Sequence, residues 1–92
     1  MHKLTDPQLQ VALDGLPKWK LQDGALRCEK SFIDFPAAIA FVNRVAEMAE
    51  AAGHHPDIDI RYNHVCLVLV THDAGGITAK DVELATAINS AG

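Results

Sequence analysis

Two adjacent histidines, His54 and His55, lie in the segment GHHPDIDIRY, and a third, His72, follows in the segment VTHDAGG. An imidazole takes up or releases a proton near neutral pH, so a group of them could supply both an acid and a base. Pro56 disfavours the helical conformation for His55, and neighbouring residues of an extended chain point to opposite sides. We therefore expect the two adjacent rings to serve different sides of a pocket. The alternative is a pair of solvent-facing loop histidines.

The surroundings of these histidines leave two interpretations open. Glu50 is expected in the last turn of a helix, where a carboxylate meets the negative end of the helix dipole. A neighbouring imidazole would justify this position, because a carboxylate fixes the tautomer of a nearby ring; otherwise Glu50 is an incidental surface residue. His72 ends a predicted apolar strand, where it is either functional or a satisfied histidine at the rim of the core.

Three histidines can hold zinc, but the spacing here argues against a metal. The rings of His54 and His55 are expected to diverge, and Gly53 prevents Glu50 and His54 from acting as a pair of ligands on one helix. No HExxH motif is present. The sequence therefore predicts a site that works without a metal.

Three predicted helices frame these residues. Each begins at a capping signal followed by apolar residues at helical spacing, and the signals are Thr5 with Gln8, Asp34 with Pro36, and Thr78 with Asp81. Gly53 is expected to end the second helix in the left-handed conformation. The histidine pair therefore directly follows the end of a helix.

Four predicted strands complete the fold. The turn signal Asp23-Gly24 predicts a hairpin over residues 19–32. The alternation over residues 57–62 predicts a half-buried strand, and the apolar residues 65–72 predict a central strand or one covered on both faces. The order α-β-β-α-β-β-α indicates an α+β fold, a four-stranded antiparallel sheet with three helices packed on one face.

Composition limits the classes of function. The 92 residues indicate a single domain over 1–92, with a core so thin that association with further copies is expected. Eight Lys and Arg against twelve Asp and Glu give a net charge of −4, which excludes direct nucleic-acid binding as the leading hypothesis. The apolar run of residues 65–70 is too short to span a membrane, and the first residues lack a secretory signal, so a cytoplasmic location is predicted. Cys28 and Cys66 are interpreted as reduced core thiols.

A spaced set of residues resembles a known family. The set consists of Glu50, His54, His55, Pro56, Tyr62, His72 and Asp81. Together with the stretch LPKWKL around Trp19 and the stretch THDAGG, it resembles the signature of the pterin-4a-carbinolamine dehydratases over nearly the whole chain.

The resemblance implies an activity and a role for each residue. Family members dehydrate 4a-hydroxytetrahydropterin, the product of aromatic amino-acid hydroxylases, to quinonoid dihydropterin and water. We expect His54 and His72 to form the acid–base pair and His55 to hold the pterin, although His54 and His55 could exchange roles. Supporting positions are Glu50, Pro56, Tyr62 and Trp19, of which Trp19 could equally be a core residue. The capping position of Asp81 favours a structural role over a functional one.

The resemblance also implies partners. The reaction involves no redox change, so no nicotinamide or flavin cofactor is expected. The family suggests a homodimer or homotetramer, a pterin as substrate and a functional link to an aromatic amino-acid hydroxylase. Family resemblance also includes proteins that stabilise dimers of a transcription factor, so a protein-interaction module is the alternative, and a purely structural domain is a third. The complete set of histidines favours the enzyme.

Overall fold

Three helices and four strands alternate in the predicted order in a computed structural model that describes residues 2–91. The elements are α1 (Asp6–Asp14), β1 (Trp19–Gln22), β2 (Ala25–Ser31), α2 (Phe35–Ala52), β3 (Asp57–Arg61), β4 (His64–Leu69), a short 3-10 helix (His72–Ala74) and α3 (Ala79–Ala91). The strands form one antiparallel sheet in the spatial order β1-β2-β4-β3. The predicted α+β fold is confirmed.

The local signals of the sequence produce the expected helix ends and turn. Thr5 and Gln8 form a complete capping box at the start of α1, in which each side chain accepts a hydrogen bond from the backbone of the other. Asp34 accepts from the backbone N–H of Ala37 at 2.9 Å and so caps α2. Between β1 and β2, Asp23 and Gly24 have φ values of 53° and 75°, as the tight hairpin turn requires.

The helices cover one face of the sheet only. Along β4, the side chains of Val65, Leu67 and Leu69 are buried, whereas Cys66 and Val68 between them remain partly exposed. The sequence left two alternatives for this strand, a central position or cover on both faces. The structure confirms the central position. Its apolar second face, with Cys66 and Val68, belongs to the open side of the sheet.

The strand that was predicted to continue to His72 ends earlier. β4 stops at Leu69, and Thr71 instead exchanges backbone hydrogen bonds with Gly76. The intervening residues form the 3-10 helix, which ends at Gly75 with φ 74°. His72 is therefore the first residue of a tight loop, because this closed turn replaces the strand geometry that the apolar pattern suggested.

The strand before it is also shorter and more exposed than predicted. β3 lies at the edge of the sheet, and its residues are exposed, including Ile58 and Ile60 on the helix side. Tyr62 follows the strand and has φ 54°, so it is the first residue of the turn to β4 instead of the last residue of the strand. An edge strand has a neighbouring strand on one side only. This explains why the side chains of β3 are more exposed than those of the half-buried strand that the alternation predicted.

The core lies between the sheet and the helices. It contains Phe41 and Val45 of α2, Leu26 and Leu67 of the sheet, and Leu84 of α3. Among residues 2–91, no helix is long and apolar enough to cross a membrane.

Candidate functional site

The end of α2 fixes the backbone of the histidine pair. Gly53 adopts the left-handed conformation, with φ 62° and ψ 30°. Its backbone N–H donates to the carbonyl of Glu50 at 3.2 Å, and that of His54 donates to the carbonyl of Ala49 at 3.1 Å. These two bonds form a Schellman motif, which ends the helix and holds His54 at a defined place directly beyond it.

His54 contacts the buried carboxylate of Asp81. Nε2 of the ring lies 2.5 Å from Oδ1 of Asp81, and the two side chains are 13% and 0% exposed. Asp81 lies in the first turn of α3, so this contact joins the end of one helix to the start of another. A carboxylate that bonds one ring nitrogen orients the imidazole and selects its tautomer.

The second oxygen of Asp81 is also occupied. Oδ2 accepts from the backbone N–H of Thr78 at 2.9 Å and from the hydroxyl of Thr71 at 2.8 Å. The hydroxyls of Thr71 and Thr78 are themselves 2.8 Å apart. Both oxygens of this buried group therefore have partners, as buried polar groups require.

His55 points to solvent. Its Nε2 lies 2.5 Å from Oε2 of Glu50, and the two side chains are 63% and 79% exposed. The rings of His54 and His55 thus diverge, as the extended backbone before Pro56 predicts. The contact with His55 offsets part of the unfavourable interaction between the Glu50 carboxylate and the C-terminal end of the α2 dipole. An exposed pair of this kind contributes only about 0–1 kcal/mol.

His72 is tied to the same region through its neighbour. It directly follows Thr71, whose hydroxyl donates to the carboxylate that His54 contacts. The His72 side chain is exposed at the start of the 3-10 helix. Asp81 therefore links the backbone beside His72 to the ring of His54.

A groove opens beside His54. It encloses about 390 Å³ between the end of α2 and the start of α3, and its walls include Met48, Ala52, Lys80 and Leu84. The volume falls within the usual range for small-molecule sites, and an apolar wall with few polar groups is typical of them. His54, Lys80 and Glu83 are the polar residues of this groove.

A larger concavity of about 810 Å³ lies over β2, β3 and β4 and contains none of these three histidines. Four of its charged residues are paired along their own strands, Arg27 with Glu29 and Arg61 with Asp59. Each of these four charges therefore has its partner two residues away on the same strand. We therefore favour the smaller groove, where a titratable ring meets an apolar wall.

Among the described residues, His54 is the candidate residue that lines the groove. The other candidates are not in its walls, and they are Glu50, His55, His72, Trp19, Pro56 and Tyr62. Trp19 is buried in the core at the start of β1, which agrees with the core alternative. Pro56 is half-buried directly after the histidines, and Tyr62 is exposed in the turn that follows β3. Pro56 restricts the backbone of His55, and the roles of Pro56 and Tyr62 in shaping the pocket remain predictions.

Asp81 and Thr71 are the residues that the sequence did not place in the site. Asp81 was assigned to capping, and it does accept from the Thr78 backbone in that role. Its second contact, to His54, spans 27 positions of the chain and follows from no local pattern. Its place in the spaced family signature was the one signal that could have identified it.

Within residues 2–91, no three His, Cys, Asp or Glu side chains group closely enough to hold a metal ion. What the arrangement does offer is a neutral or charged imidazole held on a buried carboxylate at the side of an apolar groove. Such a ring can pass a proton to or from a small molecule. The loop that carries His72 is joined to the same carboxylate through the hydroxyl of Thr71.

Comparison with known proteins gives one family. The family model described as pterin 4 alpha carbinolamine dehydratase matches residues 2–91. A protein of Acidobacterium capsulatum, assigned provisionally as a pterin-4-alpha-carbinolamine dehydratase, is 57% identical over 90 residues, which cover 98% of each chain. A relative from Gloeobacter violaceus with the same provisional assignment is 55% identical over 92 residues, covering 96% of this chain and 100% of its own.

Solved structures share the fold. The crystal structure of a transcriptional coactivator/pterin dehydratase from Brucella melitensis has a TM-score of 0.93 and 33% identity, over 97% of both chains. A pterin dehydratase-like protein described as a RuBisCO assembly factor in the alpha-carboxysome has a TM-score of 0.67 and 21% identity, over 79% of this chain and 87% of its own. The second likeness concerns the fold alone.

Proposed function

Since the chain belongs to the pterin-4a-carbinolamine dehydratase family, we propose that it dehydrates a 4a-hydroxytetrahydropterin by histidine acid–base catalysis. The observation that carries the proposal is the ring of His54, held on buried Asp81 at the side of a groove of small-molecule size. A domain with a purely structural or binding role has no need to orient an imidazole in this way.

The reaction requires two proton transfers. An acid protonates the 4a-hydroxyl, the carbon–oxygen bond breaks, and the oxygen leaves as water. A base removes the proton of the neighbouring ring nitrogen, and the electron pair released there forms the new carbon–nitrogen double bond. Each assisted transfer is worth about 10²–10⁴-fold in rate, and imidazoles can perform both near neutral pH. No electron acceptor is consumed.

His54 and His72 are proposed to carry the two transfers. They lie on different segments, His54 directly after α2 and His72 at the start of the 3-10 helix. The proposal requires that the two rings reach a bound pterin from two sides. His55 is proposed to hold the pterin, with Glu50 as its partner. The apolar groove wall with Met48 and Leu84 gives a flat heterocycle a surface to lie against.

The test is a dehydration assay with a matched histidine control. A tetrahydropterin-dependent phenylalanine hydroxylase generates the carbinolamine, and the appearance of the quinonoid product is followed by absorbance with and without the purified protein. We expect catalytic amounts of the protein to accelerate the step. His64→Ala should retain this activity, because His64 bonds Ser31 on the open face of the sheet. A rate equal to that in buffer alone would reject the proposal.

The name of the Brucella structure, which includes a transcriptional coactivator, supports a second candidate function as a protein-binding module. The open face of the sheet, with half-exposed Cys66 and Val68, offers a surface for it. A histidine variant distinguishes the two candidate functions. Loss of dehydration in His54→Ala with unchanged association would assign the enzyme activity to the groove and any binding to another surface.

A further inference from the structure

The hydrogen bonds around Asp81 run in one direction. The backbone N–H of Lys80 donates to the Thr78 hydroxyl at 3.3 Å, and the backbone N–H of Thr78 donates to Oδ2 of Asp81 at 2.9 Å. The Thr71 hydroxyl gives its single proton to the same Oδ2, so the contact between the two threonine hydroxyls is made by the proton of Thr78. Every bond of the chain therefore ends on Asp81 as an acceptor.

The carboxylate form of Asp81, whose Oδ2 already accepts two hydrogen bonds, determines which nitrogen of His54 carries a proton. A carboxylate accepts hydrogen bonds and cannot donate them, so Nε2, which lies 2.5 Å from Oδ1, must be the N–H nitrogen of the ring. Nδ1 makes no hydrogen bond to any residue in the described part of the chain, residues 2–91. In the neutral ring Nδ1 has a free lone pair, and in the charged ring it has a free N–H.

We propose that Asp81 is a positioning residue that holds His54 in the Nε2–H tautomer and makes Nδ1 the atom that exchanges a proton with the substrate. The first half of the proposal concerns the ring alone, and the second half rests on the proposed dehydratase function. Thr71 and Thr78 hold the carboxylate in place. The assignment goes beyond capping, which needs only the bond from the Thr78 backbone to Oδ2.

The same carboxylate also connects the three segments of the site. It accepts from His54 after α2, from Thr71 before the 3-10 helix and from Thr78 before α3. Because Thr71 directly precedes His72, the group that orients one proposed catalytic ring also anchors the backbone of the other. An exposed pair such as His55 with Glu50 cannot do this, since water competes for both partners.

The decisive variant is Asp81→Asn. Its amide oxygen can still accept from the Thr78 backbone and the Thr71 hydroxyl, which preserves the cap. Its NH₂ group then faces Nε2 of His54 and donates to it, so the ring must move its proton to Nδ1. We expect kcat to fall by about 10²–10⁴-fold with little change in KM, because a histidine in the wrong tautomer cannot transfer the proton.

The readout is the tautomer itself, measured by long-range ¹H–¹⁵N NMR on protein labelled at histidine, at a pH where the ring is neutral. Wild type should show His54 protonated at Nε2, and Asp81→Asn should show it protonated at Nδ1. Gln8→Ala is the matched control, because Gln8 holds the corresponding position in the capping box of α1. It should lower stability and leave both the tautomer and kcat unchanged.

Each outcome decides the proposal. Nδ1–H in the wild-type ring, or an Asp81→Asn protein with unchanged tautomer and kcat, would overturn it. Should Asp81→Asn fail to fold, Thr71→Val removes one donor from Oδ2, and it should shift the ¹⁵N resonance of His54 Nε2 and lower kcat. Unchanged values in that variant would overturn the proposal equally. A wild-type protein with the Nε2–H ring but no dehydration would reject the proposed function while leaving the tautomer assignment intact.

Discussion

Replacing Gly53 with alanine should weaken both folding and dehydration, because this residue ends α2 in the left-handed conformation with φ 62°. That conformation costs a residue with a Cβ about 1–2 kcal/mol. The lower entropy of alanine in the unfolded chain returns about 0.4–1 kcal/mol, which leaves a net loss of about 1 kcal/mol. An added Cβ would meet nothing within 4 Å, so the loss comes from the backbone and not from a clash.

The functional effect follows from the position of the next residue. If the chain relieves the strain by moving, His54 loses its bond from the backbone N–H to the Ala49 carbonyl and its alignment on Asp81. A displacement of about 1 Å at a reacting group can cost about 10²-fold in rate. Thermal unfolding and the dehydration assay together measure both effects, and the stability loss corresponds to a fall in Tm of about 4–8 °C for a domain of this size.

Three matched variants test this prediction. Gly24→Ala in the β1–β2 turn has a similar φ of 75° and open space, so it should lose the same stability and keep full activity. Gly15 has φ −89°, so Gly15→Ala should be nearly neutral. Gly53→Asn should recover part of the loss, because asparagine enters the left-handed region more readily. Equal kinetics for Gly53→Ala and Gly24→Ala would refute the link between this helix end and the site.

Three further predictions concern other parts of the molecule. His55→Ala should raise KM more than it lowers kcat, because an exposed ring that holds the pterin serves ground and transition state alike; a pure loss of kcat in steady-state assays would contradict this role. Burial raises the pKa of the Cys66 thiol and, separately, that of the Cys28 thiol. Alkylation by iodoacetamide at pH 7 should therefore be slower than for free cysteine and should accelerate as pH rises, since the thiolate is the reactive form; rapid labelling of the native protein at pH 7 would contradict a raised thiol pKa. Light scattering should find a dimer or tetramer, because the open face of the sheet carries half-exposed Val68 beside Cys66; a stable monomer at micromolar concentration would exclude this assembly.

The sequence predicted the helix ends and turns of the fold correctly, because each of these features depends on a few neighbouring residues. The capping box of Thr5 and Gln8, the turn at Asp23-Gly24 and the left-handed Gly53 all lie where backbone chemistry requires them. The divergence of His54 and His55 followed from Pro56 in the same way.

Features that depend on neighbours distant in the chain could not be predicted in this way. The apolar pattern after Val65 continues past Leu69, but the bridge between Thr71 and Gly76 ends the strand and places His72 in a loop. The alternation in β3 is compatible with a central or an edge strand, and only pairing decides which. The contact of His54 with Asp81 depends on how α2 and α3 pack against each other, which no spacing within either helix encodes.

The measurement that tests the central claim most directly is single-turnover dehydration of the carbinolamine by wild type, His54→Ala, His72→Ala and the double variant. We predict that each single change lowers the rate by about 10²–10⁴-fold with pterin affinity and folding nearly unchanged. The double change should cost less than the sum of the two losses in activation free energy, because groups of one proton relay do not act independently. Full activity of His72→Ala, or strictly additive losses, would contradict the account.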